Sequence, residues 1–172
     1  IAVWPGTAVD SYAEVAALAS IVTRFMGEAA GVSSSPALTQ SDFAALGVTG
    51  VTAENLNEVL AALRAGADDG SEIDTLDELR SVVGAAVALS RQNAIDIISR
   101  YDGTSSTTAP TLADFPNAGS TGVTNTNLAS INTAFAEIGI TDSDTTADIQ
   151  GVISGYASIL LGADELRDGD IV

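Results

Sequence analysis

Apolar side chains recur along this chain at spacings of three and four residues, the period that places them on one face of an α-helix. The middle of three long segments continues to Tyr101, which predicts a single helix over residues 75–100. No strand-like alternation occurs, so the pattern predicts an all-α protein. The three apolar stripes are Tyr12, Val15, Leu18, Ala19, Val22, Phe25 and Met26; Leu79, Val82, Val83, Ala86 and Val87; and Ile149, Val152, Ile153, Tyr156, Ile159 and Leu160.

A capping-box spacing stands at the head of each long helix. A Ser or Thr is followed three residues later by an acid, so that each can accept a hydrogen bond from the other's backbone amide. The pairs are Ser11 with Glu14, Thr75 with Glu78, and Thr145 with Asp148, and each is preceded by an aspartate. These pairs predict three helix starts.

A second motif, Thr-Gly-Val-Thr followed by Asn-Leu, begins at Thr49 and returns at Thr121, an offset of 72 residues. We interpret Thr52 and Thr124 as N-caps of two medium helices, which Gly66 and Gly139 would close. The glycine of each motif, Gly50 or Gly122, would allow a tight turn before the helix.

A short helix precedes each medium helix. It follows Pro36 in one copy and Pro110 in the other, and it contains Phe43 or Phe115, which we expect to fill the core. Its predicted caps are Ser41 and Ala113-Asp114, and its predicted stops are Gly47 and Gly119.

Together these elements predict tandem units made of a short, a medium and a long helix. Residues 36–109 would form one unit, and residues 110–172 a second with an acidic tail. Residues 1–35 would contain the last helix of a preceding unit, so we expect the array to continue upstream. Whether the units stack as a rod or fold into one bundle stays open.

Charge narrows the range of functions. The chain carries 23 acidic residues and six basic ones, a net charge of −17, and every basic residue is arginine. Such a surface repels nucleic acids and anionic membranes, and no apolar run reaches the length of a membrane span. Cysteine and histidine are absent, which excludes disulfides and thiol or histidine chemistry. We therefore predict a protein that is not an enzyme.

Calcium is the one cofactor that the sequence suggests, because hard cations bind clusters of carboxylate oxygens. The spacing does not follow the EF-hand pattern, and the same acids can simply cap helices and solvate loops. The candidate ligands are Asp68, Asp69, Glu72 and Asp74 in one loop and Asp142 and Asp144 in another, with Asp164, Glu165, Asp168 and Asp170 forming the acidic tail.

The combined motifs resemble repeats in very long, acidic, secreted bacterial surface proteins of the adhesin type. This resemblance implies a secreted or cell-surface location and a non-catalytic structural or spacer role, with adjacent repeats of the same chain as partners. The alternative is a ligand- or partner-binding module, with or without dependence on calcium, whose cell-surface or carbohydrate partner is unknown. The matching residues are Pro110, Leu112, Asp114, Phe115, Gly119, Thr121 to Thr124, Asn127, Leu128, Asp144, Thr145 and Ile149.

Overall fold

A computed structural model describes the backbone of residues 11–66, 73–138 and 143–167, with side chains as far as residue 160. Within these ranges the regular elements are helices and no strand occurs, which confirms the all-α prediction. The helices are α1 (Tyr12–Ala29), α2 (Gln40–Ala45), α3 (Leu56–Arg64), α4 (Leu76–Ser99), α5 (Asp114–Asn117), α6 (Leu128–Ala136) and α7 (Thr146–Arg167).

The chain divides into two compact units, residues 1–89 and 90–172. The division falls within α4, the helix that the sequence predicted over residues 75–100. The sequence predicted boundaries at 35/36 and 109/110, where the motif begins again. Recurrence of a motif is a different property from packing, so these boundaries stay predictions.

The core of the first unit brings together the end of α1, the α2–α3 pair and the first half of α4. At its centre the rings of Phe25 and Phe43 meet edge to face, with centroids 4.8 Å apart, a favourable geometry for aromatic pairs. Phe43 is fully buried, as the sequence predicted. The other buried members are Ala29, Leu38, Leu46, Val48, Val59, Leu60, Leu63, Ile73, Leu79, Val83 and Ala86.

The second unit has a comparable core, to which α4 contributes its second half. Phe115 is again buried, and its ring centroid lies 6.0 Å from that of Phe135 on α6. The other buried members are Ala94, Ile95, Ile98, Ala118, Ile131, Ile149 and Ile153. Tyr156, half-buried, packs against this core as its apolar stripe predicted.

The turn before each medium helix is built in the same way. Asn55 receives a hydrogen bond from the Thr52 amide (2.8 Å) and donates one to the Gly50 carbonyl (2.9 Å). Asn127 makes the matching bonds with Thr124 (2.7 Å) and Gly122 (3.0 Å). Gly50 and Gly122 both have positive φ, 89° and 95°, a conformation that glycine adopts without strain.

This geometry corrects the predicted N-caps. Helices α3 and α6 are capped by Asn55 and Asn127 rather than by Thr52 and Thr124, because each threonine begins the turn that precedes the helix. Helix α3 ends at Arg64 with Ala65 as its C-cap, one residue before Gly66. Gly139 lies outside the described residues.

The cap predicted for α2 was also wrong. Ser41 lies inside the helix, and Thr39 is the N-cap, forming a capping box with Asp42. At α5 the N-cap is Ala113, as predicted, although its side chain makes no capping bond. Thr111 instead contacts Asp114, which accepts from the threonine amide (2.6 Å) and hydroxyl (2.7 Å).

The apolar stripe of α1 differs from the other two because much of it faces solvent. Tyr12, Val15, Val22 and Met26 are exposed, whereas Phe25 and Ala29 are buried. Helix α1 therefore reaches the core of its unit mainly through its C-terminal turns.

Candidate functional site

The structure describes only part of the two acidic loops. Asp74 and Asp144 fall within the described residues, whereas Asp68, Asp69, Glu72 and Asp142 lie outside them. Of the acidic tail, the side chains of Asp164 and Glu165 also lie outside the description, as do Asp168 and Asp170 entirely.

Asp74 lies beside the capping box of α4. The amide of Thr75 (2.9 Å) and its hydroxyl (2.8 Å) both donate to Glu78 Oε2, and the amide of Asp74 donates to the same oxygen. A hydrogen bond with Glu78 and the repulsion between the two carboxylates raise the pKa of Asp74, whereas the bonds from Thr75 lower the pKa of Glu78. Asp74 and Glu78 therefore take part in the hydrogen bonds that cap the N-terminus of α4.

Asp144 has the same position before α7. The hydroxyl of Thr145 donates to Asp148, whose amide donates back to that hydroxyl at 3.2 Å. Across residues with described side chains, the structure shows no group of three or more acidic side chains able to hold a metal ion. A calcium site that includes Asp68, Asp69, Glu72 and Asp142 stays a prediction.

An apolar pocket of about 110 Å³ opens beside the α4 capping box in the first unit. Asp74 and Thr75 contribute its polar lining, and the other lining residues are apolar. The apolar lining comes from Val22, Phe25 and Met26 of α1 together with Leu46, Ile73, Leu76 and Leu79. The sequence did not reveal it, because it forms where residues from distant parts of the chain meet.

Two ion pairs tie α1 to its unit. The guanidinium of Arg24 contacts both carboxylate oxygens of Asp42, at 2.6 and 3.0 Å, in the bidentate geometry that favours arginine–carboxylate pairs. Burial raises the pKa of Asp42, but the hydrogen bonds from Arg24 and Thr39 outweigh it and leave the pKa below its usual range.

Glu28 is the acceptor of the second ion pair and is only 1 % exposed. One oxygen accepts from the Ser34 amide (2.7 Å) and hydroxyl (2.8 Å), and the other from Arg64 Nε (2.6 Å). Burial raises the pKa of Glu28, but these hydrogen bonds together hold it below its usual value. Every carboxylate oxygen has a partner, which indicates a structural role for this buried acid.

The second unit has a polar turn after α4. Asp102 accepts hydrogen bonds from the Thr104 amide and hydroxyl and from the Thr107 hydroxyl. Bonds from the Thr107 and Thr104 side chains lower the pKa of Asp102 to about 2. Beside this turn Asp96, Arg100 and Thr107 help to line a hollow of about 270 Å³. Asp102 therefore serves as a fixed acceptor that closes the turn.

These carboxylates have structural roles. The buried carboxylates are held in ion pairs, and the carboxylates at the starts of α4 and α7 cap those helices. The ion pairs were missed by sequence reasoning, because pattern analysis reads neighbours in sequence, whereas Arg24 and Asp42 are 18 residues apart and Glu28 and Arg64 are 36 apart.

None of the helices, within the ranges that the structure describes, combines the length and apolar character needed to cross a membrane. Comparisons of the chain with protein-family models, with curated proteins and with solved structures found no match.

Proposed function

We propose that this chain is a non-catalytic structural module, built from tandem repeats, of a large secreted or cell-surface bacterial protein. The observation that carries the proposal is that the same local construction occurs in both units. Each has a buried phenylalanine in its short helix, a positive-φ glycine before its medium helix, and an asparagine that closes the intervening turn.

The shared construction extends to the long helices. Leu79 and Val83 of α4 belong to the first core, and Ile149 and Ile153 of α7 stand at the corresponding positions, counted from the caps, in the second. Side chains of similar size and apolar character fill like positions, as tandem repeats require. The acidic, lysine-free composition supports an extracellular spacer, since it favours solubility and discourages nonspecific association.

An antibody raised against this chain tests the location on cells of the source organism. We expect it to label intact cells and to lose that signal after brief treatment with external protease. Permeabilised cells and a cytoplasmic marker protein are the controls. Labelling that requires permeabilisation, with the antigen resistant to external protease, would contradict a surface location.

The alternative function, ligand or partner binding, is favoured by one observation, the apolar pocket beside Asp74. Its volume of about 110 Å³ is small against the roughly 300–1,000 Å³ of typical small-molecule sites. A partner that covers a larger apolar area fits this pocket better than an enclosed small ligand.

A further inference from the structure

The exposed apolar residues of α1 form one continuous stripe along the helix. Val15, Ala19, Val22 and Met26 are spaced by four, three and four residues, so they lie on one face. All four are exposed, with Val15 at 53 % and Val22 at 46 %. The stripe meets the apolar pocket at its C-terminal end, because Val22 and Met26 also line that pocket.

The sequence around this stripe lacks charge, as do residues 81–90 of α4 and 149–160 of α7. Residues 15–23 contain no charged side chain, although 17 % of the chain is charged and its net charge is −17. A solvated face in so acidic a chain would be expected to carry some of those charges. The composition therefore resembles that of the long helices α4 and α7, whose first turns are buried in a core.

Helix α4 shows what covers this face when a neighbour is present. Both helices start with a capping box, Ser11–Glu14 in α1 and Thr75–Glu78 in α4, which aligns them residue by residue. The α4 positions that match Val15, Ala19, Val22 and Met26 are all buried, and they are Leu79 (5 % exposed), Val83 (0 %), Ala86 (7 %) and Ser90 (6 %).

Over Leu79, Val83 and Ala86 of this stripe, the cover is the core that contains the helix pair preceding α4 in sequence. Leu79 and Val83 share their core with Phe43 of α2 and with Val59 and Leu63 of α3. A methyl group added at Gly50, in the turn between these two helices, would lie 3.3 Å from Val87 of α4. The turn and side chains of both helices thus contribute to the core that buries this part of α4.

Helix α7 repeats the arrangement. Ile149 and Ile153, at the positions of Leu79 and Val83, share a core with Phe115, Ile131 and Phe135. Gly122 comes equally close to α7, since an added methyl group would lie 3.3 Å from Ile153. The first turns of this face are therefore buried in both long helices, whereas Leu160 of α7, which matches Met26, is 49 % exposed.

From this we propose that the stripe Val15–Ala19–Val22–Met26 is a docking surface for one further short-helix and medium-helix pair of the α2–α3 or α5–α6 kind. The occupant is an additional copy of the repeat, located in sequence before α1. This inference rests on the proposed repeat function but not on the cellular location, so a failed docking test and a failed labelling test are distinguishable.

The test places a short-helix and medium-helix pair, taken from the chain's own segments, directly before α1. In one extended chain residues 90–144 directly precede Ser11, and in the other residues 27–74 do, so that Asp144 or Asp74 takes the place of Asp10. Each extended chain contains residues 12–26 once, so amide hydrogen exchange of that segment is unambiguous. We expect exchange over residues 12–26 to slow at least tenfold in one or both chains, because burial suppresses local opening.

Matched substitutions control the result. Val15→Glu with Val22→Glu is expected to abolish the added protection, whereas Ser20→Glu, at an exposed position that matches exposed Gly84 of α4, is expected to leave it intact. Circular dichroism checks that the added segment folds. Unchanged exchange in both extended chains, or no gain of helix in either, overturns the proposal.

Two other possible occupants of the stripe are tested by measurements on the chain without an added segment. Sedimentation velocity that detects a dimer disrupted by Val22→Glu would assign the stripe to a second copy of the chain. A monomer whose residues 12–26 already exchange as slowly as α4 would assign it to another segment of the same chain. Either result overturns the proposal, and we expect a monomer with rapid exchange over this segment.

Discussion

The Nε atom of Arg64 lies 2.6 Å from Oε2 of Glu28, and this ion pair joins the last turn of α3 to the end of α1. Glu28 is almost completely buried, whereas Arg64 is 37 % exposed. The other oxygen of Glu28 is bonded to Ser34, so the carboxylate fixes the chain where it leaves α1. The buried acid thus holds together three parts of the first unit.

Glu28→Ala is expected to lower the free energy of unfolding by about 3 kcal/mol, because it leaves the Ser34 amide without its acceptor and Arg64 without its counter-charge. Asp77→Ala is the matched control. It breaks the Arg80–Asp77 pair, whose carboxylate is 93 % exposed, and is expected to cost less than about 1 kcal/mol. Urea unfolding measures both. Equal losses in the two variants would contradict the assigned role of Glu28.

The contribution of Glu28 is expected to depend on pH. Its pKa is lower in the folded protein than in the unfolded chain, because the bonds from Ser34 and Arg64 outweigh the effect of burial. The folded state therefore binds fewer protons, so the stabilisation is complete above the unfolded value of about 4.3 and is lost as pH falls through the folded pKa.

Urea unfolding of the natural chain and of Glu28→Gln at a series of pH values measures this effect. The stability difference between them is expected to be greatest above about pH 5 and to shrink as the pH approaches 3. Acidification also weakens the repulsion among the other carboxylates, but it does so in both proteins. The difference in stability between them therefore reports on Glu28. A stability difference that grows as the pH falls would contradict this prediction.

Glycine-to-alanine substitutions are expected to have opposite effects on stability in the two turns and within α4. Gly50→Ala and Gly122→Ala place a side chain at positive φ and within 3.3 Å of Val87 or Ile153, and are expected to cost about 1–3 kcal/mol each. Gly84 lies within α4 with open space around it, so Gly84→Ala is expected to stabilise the protein by up to about 1 kcal/mol. Thermal unfolding compares the three; destabilisation by Gly84→Ala, or none at the two turns, would contradict this account.

Calcium is tested by melting the chain at matched ionic strength with calcium, magnesium or sodium as the only added cation. A specific site would raise the melting temperature most with calcium, because a ligand that binds the folded state stabilises it. Screening of the −17 charge acts with every salt. We expect equal shifts with all three cations. A larger shift with calcium that disappears in Asp74→Asn or Asp144→Asn would instead establish a site at that loop.

Local sequence determined where the long helices begin. Ser11 with Glu14 and Thr75 with Glu78 form the predicted capping boxes, because each box joins groups only three residues apart and needs no other part of the fold. Phe43 and Phe115 could likewise be assigned to cores, since large aromatic side chains in short amphipathic segments gain most from burial. The start of each medium helix was misplaced, because Thr52 and Asn55 both suit a cap.

The tertiary structure alone decided which long-range groups meet and which apolar stripes are covered. The caps are similar at α1 and α4, yet Val15 is exposed and Leu79 is buried. Periodicity shows that a helix has an apolar face, whereas burial depends on whether another element packs against that face. For the same reason the sequence did not predict the Glu28–Arg64 pair, whose partners are brought together only when α3 packs beside α1.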